Sequence, residues 1–482
     1  MAAMNPQIRR LFVLPLLLTV VALGQANLPE TPAGKLMKAW LDSFNAGNQA
    51  AHAKFLSEHQ SPTDRNNDPP EKAAERQMRF RAMVGGGFDL YKIEESNPNE
   101  IKVLAKEKGG FGWAELSFHV DPANPAVIAS SDFNQVPVPK ELRPAREDQA
   151  ALVSDLDALL TKLTAEDRLS GVVLLAKDGQ PFFQKAYGYA DRDKHIANDM
   201  NTRFRLGSMN KMFTSVAIAQ LVQQRKMSYT DTVAKLLPDY PDKEIAAKIT
   251  VHQLLTHTSG LGDFFGPEFA QKKNTLHGLN DYLQLFAGKP LKFEPGKGWA
   301  YSNAGMIVAG LIVERISGQK YYDYVREHIY KVAGMKDSDT FDKTQPQPDQ
   351  SIGYTRQDEK WVANFDTLPL MGSSAGGGDS TAPDLLRFDQ ALRGHKLLNE
   401  ELTNTIITPK VDVPDEPDKY GYGFMENHVA GKRVVGHGGG APGMNANLDM
   451  YWDTGYTVVV LANLDPPVAQ QVNNYIRDRI KQ

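Results

Sequence analysis

The chain has 482 residues, 41% of them hydrophobic and 23% charged, with a net charge of -4 and no cysteine. That length holds two or three domains and at least one large core, and the near balance of charge gives no electrostatic case for binding nucleic acid or anionic membranes. The absence of cysteine excludes a disulfide framework, a thiolate metal site, a cysteine nucleophile and a lipid-modified cysteine.

A leader is expected over residues 1–26. Arg9 and Arg10 precede an apolar run at 11–23, and small residues follow to Ala26. The run is short for a bilayer, so a cleaved secretory signal is expected rather than a retained anchor. The mature chain is then periplasmic or secreted, with no integral membrane segment.

Residues 28–136 form a first region. It begins with an amphipathic helix pattern in which Leu36, Met37, Trp40, Leu41 and Phe44 share a face, and it closes on WAELSFHV, where Ala114, Leu116, Phe118 and Val120 alternate as in a strand. Three prolines among charges make residues 137–147 a linker.

Residues 148–482 form a second, larger region. A helix pattern, QAALVSDLDALLTKL, is followed by strand-like GVVLLAKDGQ and PFFQKAYGYA, turning at Asp178 and Gly179. The middle is rich in helix patterns such as MFTSVAIAQLVQQ and AGMIVAGLIVERIS. Strands return in YGYGFM, KRVVGH, MNANLDMYW and GYTVVVLAN, and VAQQVNNYIRDRI ends the chain as a helix. Helix, strands, helical middle, strands, helix is an order that lets the two ends of the region complete one antiparallel sheet, an α+β architecture.

The chemistry-bearing stretch is FRLGSMNK at 204–211. A helix starting at Ser208 places Lys211 nearly one turn later on the same face, where its amine approaches the hydroxyl, and the helix N-terminus favours an oxyanion there. The pattern alone is weak, since S-x-x-K also occurs at Ser317 and Lys320, where Gly318 reads as a helix stop. Y-S-N at 301–303 sits before a helix that Asn303 could simply cap, and H-G-G-G at 437–440 follows strand-like KRVV. Singly each has a bland reading; together, in this order, they do not.

The set S-x-x-K, Y-S-N, H-G-G resembles the serine beta-lactamase and penicillin-binding-protein superfamily, most closely its class C and esterase-like members. LLTHTSGL at 254–261 and SSAGGGDSTAPDLLRF at 373–388 also look like that family. The resemblance implies an antiparallel sheet covered by helices plus a mostly helical lobe, with the site between them. It implies Ser208 as an acylated nucleophile, Lys211 and Tyr301 as its proton-transfer partners, and Asn303 holding the lysine or the substrate amide. Backbone N–H groups of Ser208 and of the Gly439–Gly440 strand would form the oxyanion hole. Lysine and tyrosine are both poor bases at their usual pKa, and which of them serves is left open.

His437 departs from the beta-lactamase pattern, which has lysine there. A histidine titrating near pH 6.5 gives only a weak or pH-dependent attraction for a substrate carboxylate, as in some D-peptidases and esterases of the superfamily. The expected function is therefore an exported serine hydrolase acting through an acyl-enzyme on an ester, amide or D-peptide bond. A beta-lactamase or D-alanyl carboxypeptidase is the alternative, and a catalytically silent sensor on the same scaffold is the reading from another class.

Other signals carry less. GSSAG at 372–376 matches a nucleophile elbow around Ser374 but lacks the flanking strand and helix, and Gly438, Gly440 and Gly443 fit a dinucleotide motif that no helix follows. His252 and His257 lack ligand spacing, so His257 reads as structural and no metal or cofactor is called for. The expected partner is a small-molecule or peptide substrate, and nothing specifies the oligomeric state. The first region resembles, loosely, the NTF2-like domains that precede some of these hydrolases, an accessory helix pair on a curved sheet.

Overall fold

The structure, a computed structural model, describes residues 27–482 apart from 110–111, 346, 358–359 and 415–417. The leader expected at residues 1–26 lies outside the described residues. Among the described residues no helix is long and apolar enough to cross a membrane. The chain forms two compact units, one ending at Val138 and the other starting at Pro139.

In the first unit, helix α1 (Pro32–Ala46) starts where the Thr31 hydroxyl accepts the Gly34 N–H, with proline in the first turn, and stops at Gly47, whose φ of 73° suits a residue without Cβ. Its buried stripe contains Leu36, Met37, Trp40, Leu41 and Phe44, the face read from the periodicity. Helices α2 (Gln49–His59) and α3 (Pro70–Met83) follow. Then comes a four-stranded antiparallel meander of β1 (Phe88–Ser96), β2 (Glu100–Glu107), β3 (Trp113–Asp121) and β4 (Asn124–Val136). Ala114, Leu116, Phe118 and Val120 of β3 are buried against Trp40 and Phe44 in one apolar cluster.

The second unit opens with α4 (Gln149–Ala165), capped by Asp148, and the strands β5 (Gly171–Lys177) and β6 (Gln180–Tyr187). The helical middle includes α5 (Asn210–Gln223), α6 (Asn303–Ser317) and α7 (Ala382–Arg393). The chain then returns through β7 (Val411–Asp412), β8 (Lys419–Tyr420), β9 (Met425–Val429), β10 (Lys432–Ala441), β11 (Met444–Tyr451) and β12 (Tyr456–Ala462), and ends in α8 (Val468–Arg479). These strands and the first pair make one eight-stranded sheet in the order β7-β8-β9-β10-β11-β12-β5-β6. The first and last parts of the unit meet where Val172 lies opposite Leu461 and Leu175 opposite Val458, antiparallel.

Every residue of β11 and β12, and β5 from Gly171 to Ala176, is buried. Such strands lie covered on both faces, which is why GVVLLA and YTVVVLA read as unbroken apolar runs rather than alternations. Val172, Leu174, Leu448 and Leu461 turn one face into the main core with Phe213 of α5 and Phe388 of α7. Part of the stretch read as a linker belongs to this unit: Glu147 N–H donates to Arg479 O at 2.7 Å, and Lys481 N–H donates to Glu147 O at 3.1 Å.

Candidate active site

A tight turn delivers Ser208. The two-residue pairing of Phe204–Arg205 with Asp379–Ser380 runs into a 3₁₀ turn, Gly207–Met209, and α5 continues from Asn210. Ser208 thus lies in the 3₁₀ turn ahead of the α-helix. The first donor of the turn is Met209 N–H, to Leu206 O at 3.3 Å, so the N–H groups of Gly207 and Ser208 have no intrahelical acceptor.

Strand β10 passes this turn backbone to backbone. A Cβ on Gly439 would stand 1.9 Å from Leu206 O and 3.1 Å from Ser208 N, and one on Gly207, at φ 53°, would stand 3.0 Å from Gly440 N. The glycines after His437 are what allow the approach. They bring the Gly440 amide beside the Ser208 turn.

Lys211 is 0% exposed, and its Nζ lies 3.1 Å from Ser208 Oγ, 2.8 Å from Asn303 Oδ1 and 2.6 Å from Ala375 O. Its Nζ also stands 4.7 Å from the centroid of the Tyr301 ring. Burial pushes its pKa down to about 7, and the Asp263 carboxylate opposes the shift. As an ammonium it donates to all three oxygens. As a neutral amine it keeps two N–H groups and one lone pair. Asn303 Oδ1 and Ala375 O are acceptors only, so they take the two protons, and the lone pair faces Ser208 Oγ, the one partner with a proton to give.

Asn303 reaches this position because it is not the helix cap. Ser302 caps α6, accepting from Gly305 N–H at 2.9 Å and donating to Gly262 O at 2.8 Å. Asn303 is then free to project, and its Nδ2 donates to Asp263 Oδ2 at 2.7 Å. Tyr301 is hydrogen-bonded to Ser208, and burial raises its pKa above the ordinary tyrosine value, so it is a neutral phenol. The His257 ring lies 4.4 Å from the Tyr301 ring, and its Nδ1 accepts the Ser302 N–H at 3.2 Å, which anchors the Y-S-N loop.

His437 does not titrate where expected. It is 5% exposed on β10; its Nδ1–H donates to Gly438 O at 2.5 Å and its Nε2 accepts from the Tyr420 hydroxyl at 3.0 Å. Burial, with Lys211 nearby, pushes its pKa down to about 3. The expectation of a charge appearing near pH 6.5 is therefore corrected: the ring stays neutral because it is dry and both nitrogens are engaged.

The competing motifs form no sites of their own. Ser374 is buried and donates to Met306 O at 2.8 Å, with no elbow around it. Ser317 ends α6, and Gly318 is its left-handed cap at φ 75°. Gly438 and Gly440 lie on β10 and Gly443 in its turn to β11, a strand, so no helix follows. Sequence reasoning missed Asp263 and the Ala375 carbonyl. Asp263 stands two residues beyond the quoted LLTHTSGL and no motif marks it; a backbone carbonyl gives no side-chain signal.

An eight-stranded antiparallel sheet with helices on it, and a serine and buried lysine paired beside a strand of glycines, define a serine hydrolase of the beta-lactamase and penicillin-binding-protein fold. The family model described as Beta-lactamase matches residues 156–481, and the chain belongs to that family. A penicillin-binding protein from Bacillus halodurans of known structure superposes with a TM-score of 0.60 at 34% identity, covering 66% of this chain and 98% of that one. Penicillin-binding protein 4* of Bacillus subtilis (strain 168) is 29% identical over 326 residues, 64% of this chain and 71% of that protein. The D-aminopeptidase of Cereibacter sphaeroides is 28% identical over 316 residues, 64% of this chain and 60% of that protein.

Proposed function

We propose that this serine hydrolase acts through an acyl-enzyme on Ser208, cleaving an ester, an amide or a peptide bond next to a D-residue. The observation that carries this reading is the fully buried Lys211, whose Nζ lies 3.1 Å from Ser208 Oγ. Ser208 Oγ attacks the carbonyl carbon and gives its proton to Lys211 Nζ. The oxyanion that forms is held by the N–H groups of Ser208 and Gly440. On collapse the bond to the leaving group breaks, and the leaving group takes a proton through the Tyr301 hydroxyl, which Lys211 replenishes. Water then attacks the ester carbon and regenerates Ser208 with the same groups in reverse.

Lys211 is the base in this scheme and Tyr301 the relay, because burial drives the lysine towards neutrality and the tyrosine away from ionisation. A neutral His437 offers no fixed charge for a substrate carboxylate, which favours esters and D-peptide amides over beta-lactams. The similarity to a D-aminopeptidase points the same way. A silent sensor would not need this whole set. Export rests on the leader pattern at residues 1–26, and the helices packed on a four-stranded sheet support an NTF2-like accessory role for the first unit.

The test is labelling with a fluorescent acylating probe, followed by turnover of p-nitrophenyl esters, D-alanyl peptides and a chromogenic beta-lactam. Ser208→Ala is expected to lose both labelling and turnover. Labelling that survives in Ser208→Ala and vanishes in Ser374→Ala would sink the assignment.

A further inference from the structure

Asp263 belongs to none of the motifs, yet both its oxygens are committed at the site. Oδ2 accepts from Asn303 Nδ2 at 2.7 Å, while Oδ1 accepts from the N–H groups of Phe264 at 2.7 Å and Phe265 at 3.2 Å. A carboxylate can only accept, so Asn303 must turn its NH₂ towards Asp263 and its carbonyl oxygen towards Lys211. That orientation decides where the lysine's lone pair goes. Were the amide flipped, its NH₂ would face Nζ, the neutral amine would spend its lone pair on Asn303, and Ser208 would face an N–H in place of a base.

We propose that Asp263 is a positioning residue that sets the polarity of the chain Asp263–Asn303–Lys211–Ser208 and so aims the lysine lone pair at the nucleophile. It is also the charge facing Lys211. The other titratable groups around the lysine are Tyr301 and His257, packed against one another, with His437 and Tyr420 behind, all held neutral by burial. The inference rests on the proposed role of Ser208 and Lys211.

The experiment compares kcat/KM for p-nitrophenyl acetate against pH in the whole protein, its Ser208→Ala form and two Asp263 variants. Asp263→Ala frees the Asn303 amide to rotate, leaving part of the population correctly turned, and should lower the plateau about tenfold. Asp263→Asn is closer in shape but worse: its carbonyl takes the Phe264 and Phe265 N–H groups, its NH₂ faces Asn303, and the Asn303 amide is driven into the wrong orientation. That variant should fall about a hundredfold or more, within the range for loss of a general base. Both should move the acid limb to lower pH by about one unit, because the opposite charge beside the lysine is gone. A role in loop folding alone would give the reverse order, with the isosteric asparagine milder than alanine and the limb unmoved, and that result overturns the proposal.

The double variant Asp263→Asn with Asn303→Asp restores an acceptor opposite Lys211 and a partner for the asparagine NH₂, and should recover activity at alkaline pH relative to Asp263→Asn. No recovery there, with the protein folded by near-UV circular dichroism, also overturns it. Should Ser208→Ala remain active, the fault lies in the reading of the nucleophile and the polarity of the chain is refuted with it. Should Ser208→Ala be dead while both Asp263 variants keep wild-type rates, only the inference about Asp263 falls.

Discussion

In the proposed mechanism the site's pH dependence belongs to one amine. With its pKa pushed down to about 7, Lys211 is protonated below that value, and a protonated lysine has no lone pair to take the Ser208 proton. The rate therefore rises as pH rises through about 7, and on the acid side kcat/KM falls about tenfold per pH unit. His437, neutral down to about 3, contributes no step in that range. A pH profile of wild type and His437→Gln should show the same acid limb in both, whatever happens to the plateau; a limb near 6.5 that disappears in His437→Gln would return the titration to the histidine. Ser208, Lys211, Tyr301 and Asn303 were legible because short motifs keep their members near one another in sequence. Asp263 was not, since the partner that explains it is 40 residues away and the bond is visible only once α6 has placed Asn303.

Among elements, the glycine strand is the one with the narrowest tolerance. A methyl on Gly439 would meet Leu206 O at 1.9 Å, so Gly439→Ala must push β10 away from the Ser208 turn. A displacement of about 1 Å between the Ser208 and Gly440 amides is enough for a loss of about a hundredfold in turnover. At Gly438 the same methyl meets Gln470 Nε2 at 3.1 Å, the movable end of a side chain, and Gly438→Ala should stay within about threefold. Equal losses in the two variants, measured on one ester substrate, would show that backbone approach is not what Gly439 provides. The sequence allowed these glycines to be read as permitting close approach, but not which backbone comes near, because β10 and residues 206–208 meet only through tertiary packing. Strands buried on both faces, such as β5 and β12, were legible from apolar runs, whereas the 3₁₀ turn under Ser208 leaves no periodic signal.

At the scale of the whole molecule, the two units keep separate apolar clusters: residues 33–128 supply one and residues 172–461 the other. A chain beginning at Pro139 should therefore fold alone and keep ester hydrolysis within about threefold of the full protein. Beginning at residue 148 should be worse, because Glu147 is bonded to Arg479 and Lys481 at the end of the sheet's last helix. Thermal unfolding and turnover of the two truncations check this, and an inactive or unfolded chain from Pro139 would tie the first unit to the integrity of the second. The prolines among charges at 137–147 gave no sign of the attachment through Glu147, since the partner lies at the far end of the chain.

The pairing of β5 with β12 also makes the site depend on the last part of the chain. β5 is made early and has no partner on that side until Tyr456–Ala462 leaves the ribosome, and Ser208 has no neighbouring amide until Gly440 has been made. Long-range closures of this kind are slow and come after local structure. A chain broken off before its last strands therefore carries the serine and the lysine without the Gly440 amide beside them.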